Sequence, residues 1–170
     1  MKNNQVHIVK SFISDEDCNV FIKFLDENYK DSLNNLRQKI EAPKSKEINI
    51  IINKILEKTK EVTNSPKLMI GDYVLSRYLP GFAIKNHVDT EINGEHFKQS
   101  MCLYLNNDFT GGEIIFSNLN IVHSPEKGDL VVFPSDYWHE TNPVKAGIRY
   151  VLALWTTENK DKEHVSMSVG

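Results

Sequence analysis

Apolar and polar positions change their period along this chain near residue 67. Before it, Val20, Phe21, Phe24 and Leu25 recur at helical spacing. Ile48, Ile51, Ile52, Ile55 and Leu56 repeat that spacing after the break at Pro43. Ser14 with Asp17 three residues on resembles a capping box. Lys and Glu fill the other faces, so both segments read as packing helices with a solvated side. Residues 31–41 show no clear period. From Lys67 onward, β-rich runs at 73–78, 100–105, 113–116, 130–133 and 149–155 alternate with turn signals. Those signals are Pro80-Gly81, Gly111-Gly112, Lys127-Gly128-Asp129 and Asn142-Pro143. Short, evenly spaced strands predict an antiparallel barrel or two-sheet sandwich. Helices that precede the strands instead of alternating with them argue against a doubly wound fold. The expectation is one α+β domain: residues 1–66 as mainly helical support, packed on one face of a strand-rich core at 67–157.

Composition narrows the partners. A chain of 170 residues with 40% hydrophobic content can bury one sizeable core. A net charge of -3 gives no general attraction to phosphate backbones, which disfavours nucleic acid. Cys18 and Cys102 form no CxxC pair and are too few for a disulfide scaffold. They read as reduced thiols in a cytoplasmic protein. No stretch has the length of a signal-peptide core or a membrane span, so no membrane association is expected.

His87-Val88-Asp89 is the first chemical signal. On an extended segment, residues two apart point to the same side, so an imidazole and a carboxylate can face one point. Two histidines and one carboxylate on one octahedral face suit iron(II) in oxygenases, because the opposite face stays open. HxD alone also occurs by chance, and His87 alone reads equally as a surface or core histidine. His139, after the 130–133 strand and its turn, is the natural third ligand. His7, His96, His123 and His164 have no such companions and read as structural or surface residues. Arg149 stands in an otherwise apolar strand, Ile148 to Trp155. A guanidinium there faces solvent, pairs with a protein carboxylate, or binds an anionic ligand.

These pieces, in order, resemble the Fe(II)/2-oxoglutarate oxygenases of the prolyl 4-hydroxylase-like branch. The similarity spans roughly residues 74–157, about half the chain. Arg77-Tyr78-Leu79-Pro80-Gly81 leading into His87-Val88-Asp89 looks like the family's Tyr-x-Pro-Gly segment before HxD. Leu103-Tyr104-Leu105-Asn106 with Gly111-Gly112-Glu113 looks like its next strand and hairpin, and Lys127-Gly128-Asp129-Leu130 like the strand before the distal histidine. Arg149 falls where the family places its basic residue for the co-substrate. Collagen-type members often carry lysine there and oxygen-sensing members arginine, so the residue does not fix the subfamily.

The resemblance implies a double-stranded β-helix (jelly-roll) core. It implies that His87, Asp89 and His139 bind Fe(II), and that Arg149 pairs with the distal carboxylate of 2-oxoglutarate. The Tyr104 hydroxyl would help Arg149, Tyr78 would add a hydrogen bond, and Trp155 would wall the site or serve as ordinary core. Ascorbate belongs to the same expected cofactor set. The expected reaction hydroxylates a C–H bond, in a prolyl residue of a peptide or protein by preference, releasing succinate and carbon dioxide. The polar loop at residues 90–97 would be a lid. A free amino acid, another protein side chain or a nucleobase is the alternative substrate. A zinc hydrolase would give Arg149 no role and would more often carry a helical HExxH, which this sequence lacks, and a non-catalytic binding module gives the complete ligand set no role. The sequence leaves the oligomeric state open.

Overall fold

The structure is a computed structural model, and it describes residues 5–29, 36–92 and 95–158. In chain order the elements are β1 (His7–Val9), α1 (Asp15–Asn28), β2 (Arg37–Glu41), α2 (Lys46–Thr63), β3 (Met69–Tyr78) and β4 (Ile84–His87). A small ribbon of β5 (Glu91–Ile92) and β6 (Glu95–His96) follows. Then come β7 (Gln99–Tyr104), β8 (Thr110–Gly111), β9 (Ile114–Phe116) and β10 (Ile121–His123). The last four are β11 (Leu130–Pro134), β12 (His139–Thr141), β13 (Val144–Ala146) and β14 (Arg149–Thr157).

Local chemistry starts and stops the helices. The Ser14 hydroxyl accepts the Asp17 N–H at 3.1 Å, and Ser45 accepts that of Ile48 at 3.1 Å. Asp15, Glu16 and Asp17 sit in the first turn of α1, where negative charge meets the positive end of the helix dipole. Asn64, in the left-handed region at φ 51°, terminates α2. No helix among the described residues is long and apolar enough to cross a membrane.

Two antiparallel sheets carry the rest. The larger has the order β1-β11-β7-β14-β3-β2, and the smaller β10-β9-β12-β4. Period-two alternation gives the larger sheet two apolar faces. Leu75, Met101, Leu103, Leu130, Val132, Leu152 and Leu154 form one cluster with Phe21 and Leu25 of α1 and Ile48, Ile51 and Ile55 of α2. Each such side chain taken from water contributes about 1.5–3 kcal/mol. The opposite face presents Tyr78, Tyr104, Val131, Phe133 and Val151 to Ile114 and Phe116 of the smaller sheet. Between these inner faces lies the cavity described next.

The region read from sequence as helical also supplies both edge strands of the larger sheet, β1 and β2. A three-residue run and the charged sequence Arg37-Gln-Lys-Ile-Glu41 are too short for a period to show. Strands β4, β10, β12 and β13 also lie outside the runs read from sequence, each three or four residues long. Both cysteines are free thiols, and burial pushes Cys18 up to about 11 and Cys102 up to about 12.

Candidate metal centre and adjoining cavity

His87 closes β4 and His139 opens β12, and the two residues are direct partners in the antiparallel register. A directly paired position puts two side chains on the same face, a few ångströms apart. Their rings stand 4.2 Å apart, centroid to centroid, tilted by 50°. Asp89 follows two residues after His87, and its backbone N–H donates to the Ser135 carbonyl at 2.7 Å. That bond pins the chain leaving β4 against the turn after β11. The Asp89 carboxylate lies 3.1 Å from His87 Nε2 and 3.3 Å from His139 Nε2. One ligand atom from each of the three residues lies within 4.8 Å of the others.

Each imidazole is oriented by its other nitrogen. His87 Nδ1 is 2.7 Å from the Lys85 carbonyl, and His139 Nδ1 is 2.9 Å from the Tyr137 carbonyl. A carbonyl only accepts, so both Nδ1 atoms carry the proton. Both Nε2 atoms then face Asp89, and once deprotonated they are the nitrogens a metal would take. Ligands at about 2.1 Å on adjacent octahedral positions stand about 3 Å apart, close to the approach of each imidazole to its nearer carboxylate oxygen.

Asp89 is buried and charged. Burial opposes its charge, but hydrogen bonds from His139 and His87 outweigh it and hold the carboxyl well below the ordinary range. Trp155 adds a hydrogen bond to the same group and stacks on Phe97 at 5.9 Å. The hydrogen bond to Asp89 keeps the His87 imidazole charged above its usual range, against the pull of burial. Buried Ser100 donates to Asp89 Oδ2 at 2.9 Å and shares a hydrogen bond of 2.9 Å with Ser135. Neither serine stands out in the sequence.

A cavity of about 510 Å³ adjoins the triad, lined also by Tyr78, Tyr104, Arg149 and Trp155. Arg149 is 3% exposed, and no carboxylate pairs with it among the described residues. Its Nη1 donates to the Gly112 carbonyl at 3.1 Å, and its buried Nε has no hydrogen-bond partner among the described residues. Gly112 has φ +69°, and a Cβ there would meet Arg149 Cδ at 3.2 Å, so glycine lets the two approach. The Arg149 guanidinium lies 4.6 Å from the Tyr78 ring centroid, and Phe82 stacks on Tyr78 at 4.6 Å. Tyr78 thus supports Arg149 through its ring. Tyr104 is buried beside them, and burial raises its phenol well above the usual range, so it remains an O–H donor. A buried guanidinium without a counter-ion, next to a protonated phenol, fits the carboxylate end of an acid.

The other histidines lie apart. His123 does have a companion, since its Nε2 is 3.1 Å from buried Asp129, which also takes Lys10 at 3.1 Å and the Glu126 N–H at 3.0 Å. This knot closes the Lys127–Asp129 turn. His96 is exposed. His164 lies outside the described residues, as do residues 93 and 94 of the expected lid.

Residues 73–157 match the family model described as the 2OG-Fe(II) oxygenase superfamily. A PKHD-type hydroxylase from Stenotrophomonas maltophilia is 34% identical over 90 residues, covering 47% of this chain and 40% of that protein. This chain therefore spans about two fifths of that relative's length. Among solved structures, viral collagen prolyl hydroxylase from Paramecium Bursaria Chlorella virus-1, in complex with 2OG, superposes at TM-score 0.75. It is 23% identical, with 93% of this chain and 98% of that one covered. A Trichoplax adhaerens prolyl hydroxylase, solved with a hypoxia inducible factor peptide fragment, gives TM-score 0.71 at 16% identity, covering 95% and 87%. These likenesses show the jelly-roll fold. With its matched segment holding the His-x-Asp pair, the distant histidine and the buried arginine, the chain belongs to the 2OG-Fe(II) oxygenase superfamily, whose members use Fe(II) and 2-oxoglutarate.

Proposed function

We propose that this protein is a 2-oxoglutarate-dependent dioxygenase that hydroxylates a prolyl residue in a peptide or protein. The observation that carries the reading is Arg149, buried in the cavity that also holds the triad and without a carboxylate counter-ion among the described residues. A hydrolase built on the same three ligands has no use for that cation. His87, Asp89 and His139 would hold Fe(II) through two imidazole nitrogens and one carboxylate oxygen. Arg149 and Tyr104 would take the distal carboxylate of 2-oxoglutarate, and Trp155 would wall the metal side. When bound, the iron, 2-oxoglutarate and dioxygen supply the oxidising power to hydroxylate a C–H bond, with succinate and carbon dioxide as co-products. Ascorbate would serve as an auxiliary reductant.

The chain's own part is placement. Ser100, Ser135 and the two carbonyl-anchored imidazoles fix the donor atoms before metal arrives. Tyr78 and Gly112 fix the guanidinium. The apolar inner faces exclude water from the reacting atoms. We read α1 and α2 as the support that stiffens the larger sheet from behind. Two relatives favour peptidyl proline: the viral protein is a collagen prolyl hydroxylase, and the Trichoplax enzyme was solved with a peptide. Incubating the protein with Fe(II), 2-oxoglutarate and a panel of proline-containing peptides tests this. A mass gain of one oxygen on proline, with matching succinate, supports it. Succinate without any modified peptide would remove the peptidyl substrate.

A further inference from the structure

The cavity holds a second arginine that neither the metal nor the co-substrate requires. Arg37 on β2 is the register partner of Tyr78, and Tyr78 is in turn the register partner of Arg149 on β14. One tyrosine ring is thus flanked, on one face of the sheet, by two guanidinium groups at 5.6 Å and 4.6 Å from its centroid. Arg149 is buried, whereas Arg37 is half-buried on an edge strand. Arg37 donates through Nε at 3.3 Å and Nη2 at 3.2 Å to the Ser76 hydroxyl. That partner is neutral, so it aims the guanidinium without cancelling its charge. Glu41 on the same strand is engaged by Lys39 at 3.0 Å. Lys85 is exposed, lines the same cavity and is in no ion pair among the described residues.

Among the described residues, Asp89 is the only carboxylate that lines the cavity. Under the function proposed above, Asp89 and the two carboxylates of 2-oxoglutarate balance a divalent ion and Arg149. Arg37 and Lys85 are then left uncompensated at the rim, although the chain as a whole is acidic. We propose that Arg37, with Lys85, recognises an acidic side chain next to the residue that is hydroxylated, so that the preferred substrate is an acidic peptide segment. A guanidinium held by a single hydroxyl still offers donors for a carboxylate. Partial burial makes that pairing stronger than at an open surface.

This inference rests on the peptidyl reading, and the test separates the two. A fluorescent proline-containing peptide with Glu on both sides of the proline is compared with its Gln twin. Binding is measured by anisotropy to protein loaded with Fe(II) and 2-oxoglutarate under anaerobic conditions, and the same peptides are then weighed after exposure to air. The Glu peptide should bind about three- to tenfold more tightly, with the margin shrinking as salt rises. Arg37→Gln with Lys85→Gln should erase the margin while 2-oxoglutarate still binds. Equal affinity for the twins, or no binding of either, would overturn the inference. So would loss of 2-oxoglutarate binding in Arg37→Gln, which would place Arg37 in the co-substrate site. Selective binding without oxygen gain would keep the rim and sink the hydroxylation reading. Hydroxylation of both twins alike would do the reverse.

Discussion

His87 and His139 face each other as paired residues of β4 and β12, and each donates its Nδ1 proton to the carbonyl two residues before it. The backbone thereby sets both tautomers and turns both Nε2 atoms to Asp89. Strand register and short local hydrogen bonds set the two imidazoles, while Ser100 on β7 and the Ser135 carbonyl hold Asp89 from other parts of the chain.

Removing the first proposed ligand should leave the fold standing. His87→Ala deletes a half-exposed side chain outside the two apolar clusters. Its unfolding midpoint should stay within a few degrees of the parent, while turnover is abolished and Fe(II) binding falls by at least about tenfold. Thermal unfolding with a metal titration checks both.

Ser100 is a positioning residue that acts through Asp89. Ser100→Ala removes the donor to Oδ2 and leaves the Ser135 hydroxyl without its partner. Fe(II) affinity should drop about tenfold, with a stability loss of about 1 kcal/mol. Ser100→Thr should recover most of the metal affinity. Unchanged affinity in the alanine variant would show that Asp89 needs no such support.

Gly112→Ala should weaken co-substrate binding and stability together. The residue has φ +69°, and the added Cβ would press on Arg149 Cδ at 3.2 Å and on Phe109 at 3.3 Å. The expected stability cost is about 1–3 kcal/mol, several degrees in the unfolding midpoint. A titration of 2-oxoglutarate should show the accompanying shift of the guanidinium.

The Tyr104 phenol is raised by burial, so the folded protein keeps its proton where an exposed tyrosine begins to lose it, near pH 10. Its contribution to stability is therefore present at neutral pH and lost only as pH climbs past that value. Affinity for 2-oxoglutarate should show no phenol ionisation up to about pH 10. Tyr104→Phe should weaken it by about 1 kcal/mol at every pH below that. Isothermal titration at several pH values reads both.

Much of this was legible before any coordinates. The long strands β3, β7, β11 and β14 have enough residues for their apolar positions to show, and the helices carry a cap in Ser14 and a stripe in the isoleucines. The residues 87, 89, 139 and 149 could be picked out because their types are costly to bury and their order matches a family. Arg37 could not, because β2 is five residues long, charged, and paired only through the sheet. Nor could Ser100, whose importance lies in a bond to a residue eleven positions away. Short edge strands and supporting hydrogen bonds are products of tertiary register, and local pattern carries no trace of them.

Under the proposed function, one cavity joins a His-His-Asp iron site to an arginine that holds 2-oxoglutarate. Anaerobic titration of the protein with Fe(II) and 2-oxoglutarate, followed by visible absorption, tests it most directly. A weak metal-to-ligand charge-transfer band should appear and saturate at one iron per chain. Asp89→Ala should lack the band, and Arg149→Ala should reach it only at 2-oxoglutarate concentrations about a hundredfold higher. No band in the parent protein, or a band indifferent to Arg149, would contradict it.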